Sequence, residues 1–286
     1  MPETTENIIE FMYVQEVESD KLLDRLRKLT KTKSRSATAF YRTLLDLILD
    51  ELDAGTLDPA DIKQFVKQQL TRSIANDSLE RAIFLGLEDD LNDIVRVMEK
   101  GFQFLDPEFR LNDLRIIARG RMSKYALDNG VKIADRMAVD IQNIARFYTG
   151  KELRDTAELY LGNATTRLDT VINDVLMGYD REMTFLSAEK YGLTHYKYRD
   201  VINTNTRFFC RQLVSLPYCY TLEQVEKMKN GHKLDVRTNA GGYRCIHGWS
   251  AGKVGWPGFK KPFPEKGRFV SKIGPDESKA VTVPQA

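Results

Sequence analysis

Two cysteines and one histidine in the last third of the chain have the most specific chemistry. Cys210 follows the run Thr-Arg-Phe-Phe, and Cys245 and His247 form a Cys-x-His pair directly after Gly241-Gly242-Tyr-Arg. Thiolate sulfur and imidazole nitrogen are the ligands that zinc prefers, and a structural zinc site has four of them. The residue types therefore predict a metal site, with zinc as the candidate ion, at Cys210, Cys245 and His247.

The sequence leaves the fourth ligand and the state of the thiols open. His195, Cys219 and His232 are candidates for the fourth position, but none has a spacing that selects it, and there is no Cys-x-x-Cys pair. Cys210 and Cys245 could also be buried free thiols, because a free cysteine behaves as a small hydrophobic residue. A disulfide between them is the third interpretation.

Catalytic patterns are weak in this sequence. A nucleophilic Cys210 with His247 as its base would lack a third group that orients the base. Gly241-Gly242 is too short for a phosphate-binding loop, and the aspartates of this region are only Asp200 and Asp235, too few for a magnesium-dependent nuclease. We therefore predict that the protein is not an enzyme.

Basic and aromatic residues alternate around the cysteines. Residues 193–286 carry 16 Lys and Arg against 7 Asp and Glu, whereas the preceding residues carry 27 against 34. This asymmetry predicts that the last third meets an acidic partner or DNA, since basic groups neutralise phosphate and aromatic rings stack on bases. In the alternative, the aromatic residues are the core of a small sheet. The candidate DNA- or partner-binding residues are Arg199, Arg207, Arg211, Arg237 and Arg244.

The first 192 residues read as helices. Apolar residues recur at helical spacing from Glu6 to Leu29 and in six later segments, and a basic loop at Thr30 to Ser36 separates the first two helices. Asp58-Pro59 and Asp106-Pro107 are typical helix starts. Asp77 with Glu80 predicts a capping box for a helix that ends at Gly101. Glycines predict further helix ends at positions 55, 130, 150 and 192, and the last helix is expected from about Ala164 to Lys190.

After Gly192 the pattern changes. HYKYR and RFF are predicted as short strands, Thr221 to Lys229 as a capped helix, and Asn239 to Gly242 as a turn. Residues 193–255 thus predict a small α+β module that contains the Cys and His residues. Residues 256–286 are rich in Pro and Gly and predict an extended arm. Its anchors, docking on the protein itself or on a neighbouring subunit, would be Trp256, Phe259, Phe263 and Phe269.

The complete prediction is a mainly α protein with a helical domain at 1–192, the module at 193–255 and the arm at 256–286. An apolar content of 42% and a charged content of 29% are typical of soluble globular proteins. No apolar run is long enough to span a bilayer, and the polar N-terminus lacks the features of a signal peptide. With three cysteines in 286 residues, we expect a reducing, cytoplasmic compartment.

Five features of residues of about 157–249 occur together: Asp180-Arg181, Tyr196 and Tyr198, Thr206 to Cys210, Tyr220 to Glu223, and Gly241 to His247. With these features the segment resembles the C-terminal module of minor head proteins of tailed bacteriophages, the head morphogenesis family. Many relatives close with His-x-x-Cys-x-Cys instead of Cys-x-His, so this chain has a smaller ligand set.

The resemblance implies a structural virion protein, present in few copies at the portal vertex or the capsid interior. Its expected role is in head assembly or in the fate of the packaged DNA. It would be assembled in the host cytoplasm into an oligomeric particle, with the portal or major capsid protein as partner and packaged DNA as a further contact. The alternatives are a DNA-binding or DNA-processing phage protein whose helical domain dimerises, and a metal-dependent hydrolase.

Overall fold

The computed structural model describes residues 3–28, 33–199, 202–275 and 277–285. The chain is mainly α-helical and ends in a small region with two short antiparallel sheets, which confirms the predicted fold class. Three sequence expectations lie outside the described residues: Leu29 as the end of the first helix, residues 30–32 of the basic loop at Thr30 to Ser36, and Asp200. Arg35 and Ser36, which were also expected in that loop, lie in the next helix. None of the described helices combines the length and the apolar character needed to cross a membrane.

The N-terminal helix is continuous but changes its winding once. Helix α1 (Thr5–Tyr13) passes through a π-helical turn (Val14–Glu18) into α2 (Ser19–Lys28). The hydroxyl of Thr4 accepts a hydrogen bond from the backbone N–H of Asn7 and so caps the start of α1. The single amphipathic helix expected from Glu6 is confirmed over its described length.

The next two helices begin and end where the sequence predicts. Helix α3 (Arg35–Asp53) is followed by Gly55, whose φ of +68° suits glycine. A short 3₁₀ turn (Pro59–Asp61) then leads into α4 (Ile62–Ala75). The Asp58 carboxylate accepts a 2.7 Å hydrogen bond from the backbone two residues on, so the Asp-Pro start is confirmed.

The predicted helix from Asp77 to Gly101 is wrong in two respects. It is divided into α5 (Ser78–Phe84) and α6 (Glu88–Leu105). Asp77 adopts a left-handed conformation with φ 58° and its side chain makes no cap hydrogen bond, so the capping box is absent. The side chain of Asn76 accepts from the N–H of Ser78 instead, over 3.0 Å. The cap therefore comes from one residue earlier than predicted.

Gly101 and Gly130 lie inside helices and do not end them. Gly130 is within α7 (Asn112–Ile144), where its carbonyl accepts a 2.7 Å hydrogen bond from the Tyr41 hydroxyl. A Cβ at Gly130 would approach that hydroxyl to 3.1 Å, and one at Gly101 would approach the side chain of Val14 to 3.1 Å. Both glycines permit close packing, which explains why the two predicted helix ends are wrong.

The longest helix, α8 (Gly150–Tyr191), begins well before the predicted start at Ala164, and Gly150 opens it where it was expected to close the preceding helix. Gly192, with a φ of +82°, ends it as expected. All residues from 171 to 188 are buried, the charged ones included. A helix buried on all sides must supply internal partners for its polar groups, which bears directly on the site below.

The region after Gly192 contains a small sheet and three short helices. Strands β1 (His195–Arg199) and β2 (Gly248–Gly252) pair in antiparallel fashion, and the predicted strand HYKYR is confirmed. The predicted strand RFF is wrong, because Phe208 and Phe209 open a helix. The helices are α9 (Phe208–Ser215), α10 (Leu222–Glu226), whose predicted Thr221 cap is present, and α11 (Val236–Asn239).

The predicted arm is folded onto its own chain. Strands β3 (Phe269–Lys272) and β4 (Val281–Pro284) pair in antiparallel fashion. Three of the predicted anchors, Trp256, Phe259 and Phe263, are buried, and Phe269 is half-buried against Phe263 with ring centroids 5.3 Å apart. The sequence left open whether these anchors dock on the protein itself or on a neighbouring subunit. In the structure they pack on the protein itself.

Two compact units are present, and their limits do not coincide with the predicted domain boundaries. One comprises Met1–Leu26, Asp90–Gly120 and Leu176–Ala286, and the other comprises Arg27–Asp89 and Arg121–Val175. In the first unit, the Gln15 side chain exchanges two hydrogen bonds with the backbone of Ala251, and the ring of Phe11 packs on Trp256 at 5.9 Å. Helix α1 and its π-helical turn therefore share one core with strand β2 and Trp256.

Candidate metal centre

Two separate segments bring the three predicted ligands together. Cys210 lies in the first turns of α9, whereas Cys245 and His247 lie in the loop that leads into β2. All three residues are buried, with 2%, 5% and 3% of their surface exposed. Their ligand atoms lie within 4.8 Å of one another, so the group is positioned to bind a metal ion.

Two of the three ligand separations match those of a tetrahedral zinc site. Cys210 Sγ lies 3.7 Å from Cys245 Sγ, and Cys245 Sγ lies 3.6 Å from His247 Nδ1. With Zn–S and Zn–N bonds of about 2.3 and 2.0 Å at tetrahedral angles, the corresponding separations are about 3.8 and 3.5 Å. The two thiols are free and not joined as a disulfide. The three residues could therefore bind a metal ion.

The glycine pair of the motif is required by this close approach. A Cβ at Gly241 would lie 2.2 Å from Cys210 Sγ and 3.3 Å from Cys245 Sγ. The backbone N–H of Gly241 also donates a 3.2 Å hydrogen bond to Cys245 Sγ. Gly242 has a φ of +101°, and a Cβ there would collide with the ring of His232. Any other residue at Gly241 would therefore occupy the space that the Cys210 sulfur needs.

Tyr198 and Arg181 hold the site from two sides. The Tyr198 hydroxyl lies 3.2 Å from Cys210 Sγ, and its ring stacks on His247 with an interplanar angle of 9°. Arg181 comes from the buried part of α8 and is 2% exposed. Its guanidinium donates hydrogen bonds of 2.5 and 2.8 Å to the carbonyl oxygens of Cys245 and His247, and a third to Thr238. These contacts fix the Cys-x-His loop.

The two thiols differ in their acidity. The hydrogen bond with Cys245, together with burial, raises the pKa of Cys210. Burial alone would raise the pKa of Cys245, but hydrogen bonds from Cys210 and His247 and the charge of Arg181 lower it well below the ordinary thiol value. Burial and the neighbouring cysteines raise the pKa of Tyr198, which keeps it a neutral donor. The two shifts have opposite directions because the sulfur atoms are in contact, 3.7 Å apart.

None of the three candidates for the fourth ligand joins the cluster. Cys219 Sγ is directed to the Phe259 carbonyl at 3.9 Å, and His195 Nδ1 lies 3.0 Å from the hydroxyl of the adjacent Thr194. His232 Nε2 lies 3.9 Å from the Glu277 carboxylate. Among the described residues, the group around Cys210 therefore consists of three ligands. The Nε2 atom of buried His247 has no hydrogen-bond partner among the residues that the structure describes.

A cleft of about 310 Å³ adjoins the three ligands. Its buried wall is formed by the ligand residues and Thr206, and its exposed residues are Asn203, Asn205 and Arg244. Arg207 and Ile246 complete the lining. Three protein ligands beside an accessible cleft are the arrangement in which a zinc ion keeps one coordination position for an external group.

The five candidate arginines have different environments. Arg199 is 8% exposed, forms an ion pair with Asp20, and donates to the Trp249 carbonyl over 3.3 Å. Arg237 pairs with the fully buried Glu182 over 2.9 Å. Both charges are paired within the protein, and a role of these two arginines in binding DNA or a partner stays a prediction.

The other three arginines lie around the cleft and α9. Arg207 lines the cleft and donates a 3.0 Å hydrogen bond to the Gly241 carbonyl. Arg211 donates to the carbonyl of Thr206, while Arg244 is exposed and also lines the cleft. Their role in binding DNA or a partner stays a prediction.

The sequence reasoning missed Tyr198 and Arg181 as parts of the site. The only signal for Arg181 is the charged triplet Asp180–Glu182 within a helix segment that is otherwise apolar, and both residues belong to the resemblance.

No family model matches the chain, and no curated protein or solved structure is significantly similar to it.

Proposed function

We propose that the chain is a minor head protein of a tailed bacteriophage that acts by binding and not by turnover. Its C-terminal module would be stapled by one zinc ion. The observation that supports this is the convergence of the segments that carry the family resemblance. Four of the five segments meet at the Cys210, Cys245 and His247 cluster although they are far apart in sequence, and the fifth, which begins at Tyr220, pairs with Tyr196.

The contacts among these segments are specific. Tyr196 and Tyr220 exchange two backbone hydrogen bonds of 2.7 Å, and the side chain of Tyr198 from the same strand reaches Cys210. The backbone N–H of Gly241 donates to Cys245 Sγ, and the guanidinium of Arg181 from α8 donates to the Cys245 carbonyl oxygen. A sequence pattern that assembles into one site is more specific than scattered matches, and this favours the family assignment.

Zinc is the metal that the donor set favours, since two thiolates and one imidazole are soft, tetrahedral ligands. Cys210, Cys245 and His247 would hold it, and the two cysteines would bind as thiolates, releasing any proton that they carry. The bound ion would join α9 to the loop before β2. A small α+β region gains stability from such a cross-link, which suits a rigid adaptor.

The proposed partners are the portal or the major capsid protein, with packaged DNA as a further contact. The excess of basic over acidic residues after position 192 supports an acidic partner surface or phosphate. Exposed Lys260, Lys261, Lys266 and Arg268 extend this basic character along the chain after Trp256. The protein would be oligomeric within the virion head.

Mass spectrometry of purified phage particles from the source culture tests the proposal. We expect the chain in the head fraction at a low ratio to the major capsid protein, and its absence from purified particles would contradict a structural role. Filter binding of the full chain to duplex DNA tests the DNA-binding alternative. A head adaptor predicts weak binding, whereas tight binding that falls steeply with salt favours the alternative.

A further inference from the structure

Cys210 and Cys245 are two free thiols whose sulfur atoms lie in contact, 3.7 Å apart. Gly241 packs against both sulfur atoms. A Cβ at this position would lie 2.2 Å from Cys210 Sγ and 3.3 Å from Cys245 Sγ, so the missing side chain leaves the two sulfurs next to each other. Because a disulfide bond is about 2.05 Å long, the sulfurs need to close only a short gap to form one.

A small solute can approach this pair of thiols. Both cysteines line the cleft of about 310 Å³ that adjoins the candidate metal centre. Cys219, the third cysteine, is 1% exposed, does not line this cleft, and directs its sulfur to the Phe259 carbonyl oxygen. Reversible oxidation in proteins favours a cysteine that the oxidant can reach and that has a second cysteine beside it. Cys210 and Cys245 combine these two conditions.

We propose that Cys210 and Cys245 are an oxidation site, at which an oxidant of the peroxide class joins their sulfur atoms as a disulfide and displaces the zinc ion. The displacement of zinc rests on the zinc centre proposed above, whereas the disulfide needs only the two thiols and the oxidant. Zinc binds thiolate sulfur, and a disulfide provides no thiolate. The imidazole of His247 would then be the last protein ligand, and the ion would leave.

The reaction balances with hydrogen peroxide as the oxidant. One thiolate attacks a peroxide oxygen, the O–O bond breaks, and a sulfenic acid and hydroxide form. The second thiolate attacks the sulfenic sulfur, so that the S–S bond forms, the S–O bond breaks and a second hydroxide leaves. Each hydroxide takes a proton from the solvent and becomes water. The two sulfurs thus lose two electrons together, and these electrons reduce one peroxide to two molecules of water.

The zinc ion and the disulfide would connect the same two segments. Each would join α9 to the loop before β2. Thiols are kept reduced in the cytoplasm, whereas disulfides persist outside the cell. For a virion protein that is assembled in the host cytoplasm, as proposed above, the cross-link would change from zinc to a disulfide after the particle leaves the host. It would then no longer depend on the concentration of free zinc.

Titration of the full-length, zinc-loaded protein with hydrogen peroxide, up to a small molar excess, tests the site. A chromogenic indicator follows the release of zinc, thiol titration in denaturant counts the remaining thiols, and mass spectrometry of unreduced peptides locates the bridge. We expect loss of about one zinc ion per chain and of two of the three thiols, with Cys210 linked to Cys245 and Cys219 still reduced. A reductant followed by zinc should restore the starting state.

Cys219→Ser is the matched control, because that sulfur lies outside the cluster. This variant should release zinc and form the bridge as the wild type does. Because the main measurement locates the bridge in the wild-type protein, it does not depend on whether a variant of Cys210 or Cys245 folds.

Two results would overturn the inference. In the first, peroxide leaves all three thiols titratable; in the second, the thiols become sulfinic or sulfonic acids with no bridge between Cys210 and Cys245. Either result, obtained on protein that contains zinc, leaves the zinc centre standing. Protein that purifies without zinc but forms the bridge would support the oxidation site and contradict the zinc centre. The assignment as a head protein is tested separately, by the mass spectrometry of particles.

Discussion

The guanidinium of Arg181 donates a 2.5 Å hydrogen bond to the carbonyl oxygen of Cys245, although the two residues lie 64 positions apart. The same group binds the carbonyls of Thr238 and His247, each over 2.8 Å. A single buried cation from α8 therefore satisfies three backbone acceptors beside the cluster of Cys210, Cys245 and His247. Its charge also favours the thiolate of Cys245.

Replacing Arg181 should damage both stability and metal binding. Arg181→Met leaves three buried carbonyls without their donor, and we expect a loss of about 3–5 kcal/mol in the free energy of unfolding. Arg167→Met, at an exposed position of the same helix, is the matched control and should change little. Urea denaturation measures the stability. Equal effects of the two substitutions would contradict the role assigned to Arg181.

The metal centre predicts that the three cysteines are not equivalent. Purified protein should contain about one zinc ion per chain, and Cys210→Ser or Cys245→Ser should remove it. Cys219→Ser should retain it, because that sulfur faces the Phe259 carbonyl and lies outside the cluster. Elemental analysis and thiol titration give both readings. Zinc-free protein in which all thiols react only after denaturation would leave Cys210 and Cys245 as buried free thiols.

Chelation extends the same test to stability. If zinc binds only the folded chain, saturation at about 1,000 times its dissociation constant adds about 4 kcal/mol to the free energy of unfolding. A chelator should therefore lower the melting temperature of the wild-type protein and leave that of Cys245→Ser unchanged. A chelator effect of the same size on both proteins would show that another site holds the ion.

Asp180 predicts a pH dependence of stability. Burial raises its pKa from 3.8 to about 6, against the opposing charge of Arg181. Because the folded state holds the proton more tightly than the unfolded state, this contribution to stability is complete below about pH 3.8 and is lost as the pH rises through about 6. Asp180→Asn should therefore be more favourable, relative to the wild type, at pH 7.5 than at pH 5, by about 1.4 kcal/mol. Urea unfolding at both values measures this, and a pH-independent difference would contradict it.

Glycines in the long helices should respond to alanine in opposite directions. Gly162→Ala meets no atom within 4 Å and should stabilise the protein by about 0.5–1 kcal/mol. Gly130→Ala places a Cβ 3.1 Å from the Tyr41 hydroxyl and should destabilise it, since that hydroxyl must shift from its hydrogen bond. Thermal unfolding of the two variants gives the signs. A stabilising Gly130→Ala would show that this close approach is not needed.

Four glycines show why only some of the helix ends could be predicted from the sequence. Gly55 and Gly192 end helices because each adopts a positive φ, which is a local property. Gly101 and Gly130 are inside helices because a side chain distant in sequence approaches them. A sequence pattern indicates where a glycine can adopt a positive φ, but not which side chain distant in sequence will pack against it.

The candidate site likewise contains residues that the sequence predicts and residues that it does not. The residue types of Cys210, Cys245 and His247 predict the cluster, although the sequence leaves open whether the thiols bind metal, are free or form a disulfide. Tyr198 is expected in a strand and in the resemblance, but its contact with Cys210 depends on the fold around β1 and α9 and is not predicted. Phe208 and Phe209 were mistaken for a strand, since a short aromatic run suits a strand or a buried helix equally well.

The contacts of Phe11 with Trp256 and of Gln15 with Ala251 set the order in which the protein can fold. The apolar face of α1 packs on Phe102, with ring centroids of Phe11 and Phe102 4.9 Å apart, but its cover is complete only when residue 256 has been synthesised. Contacts between positions this distant slow folding, and an incompletely covered apolar helix meanwhile attracts chaperones or other nascent chains. Truncation before Trp256 would therefore impair the start of the chain as well as its end, and expression of shortened fragments should favour aggregation over folding.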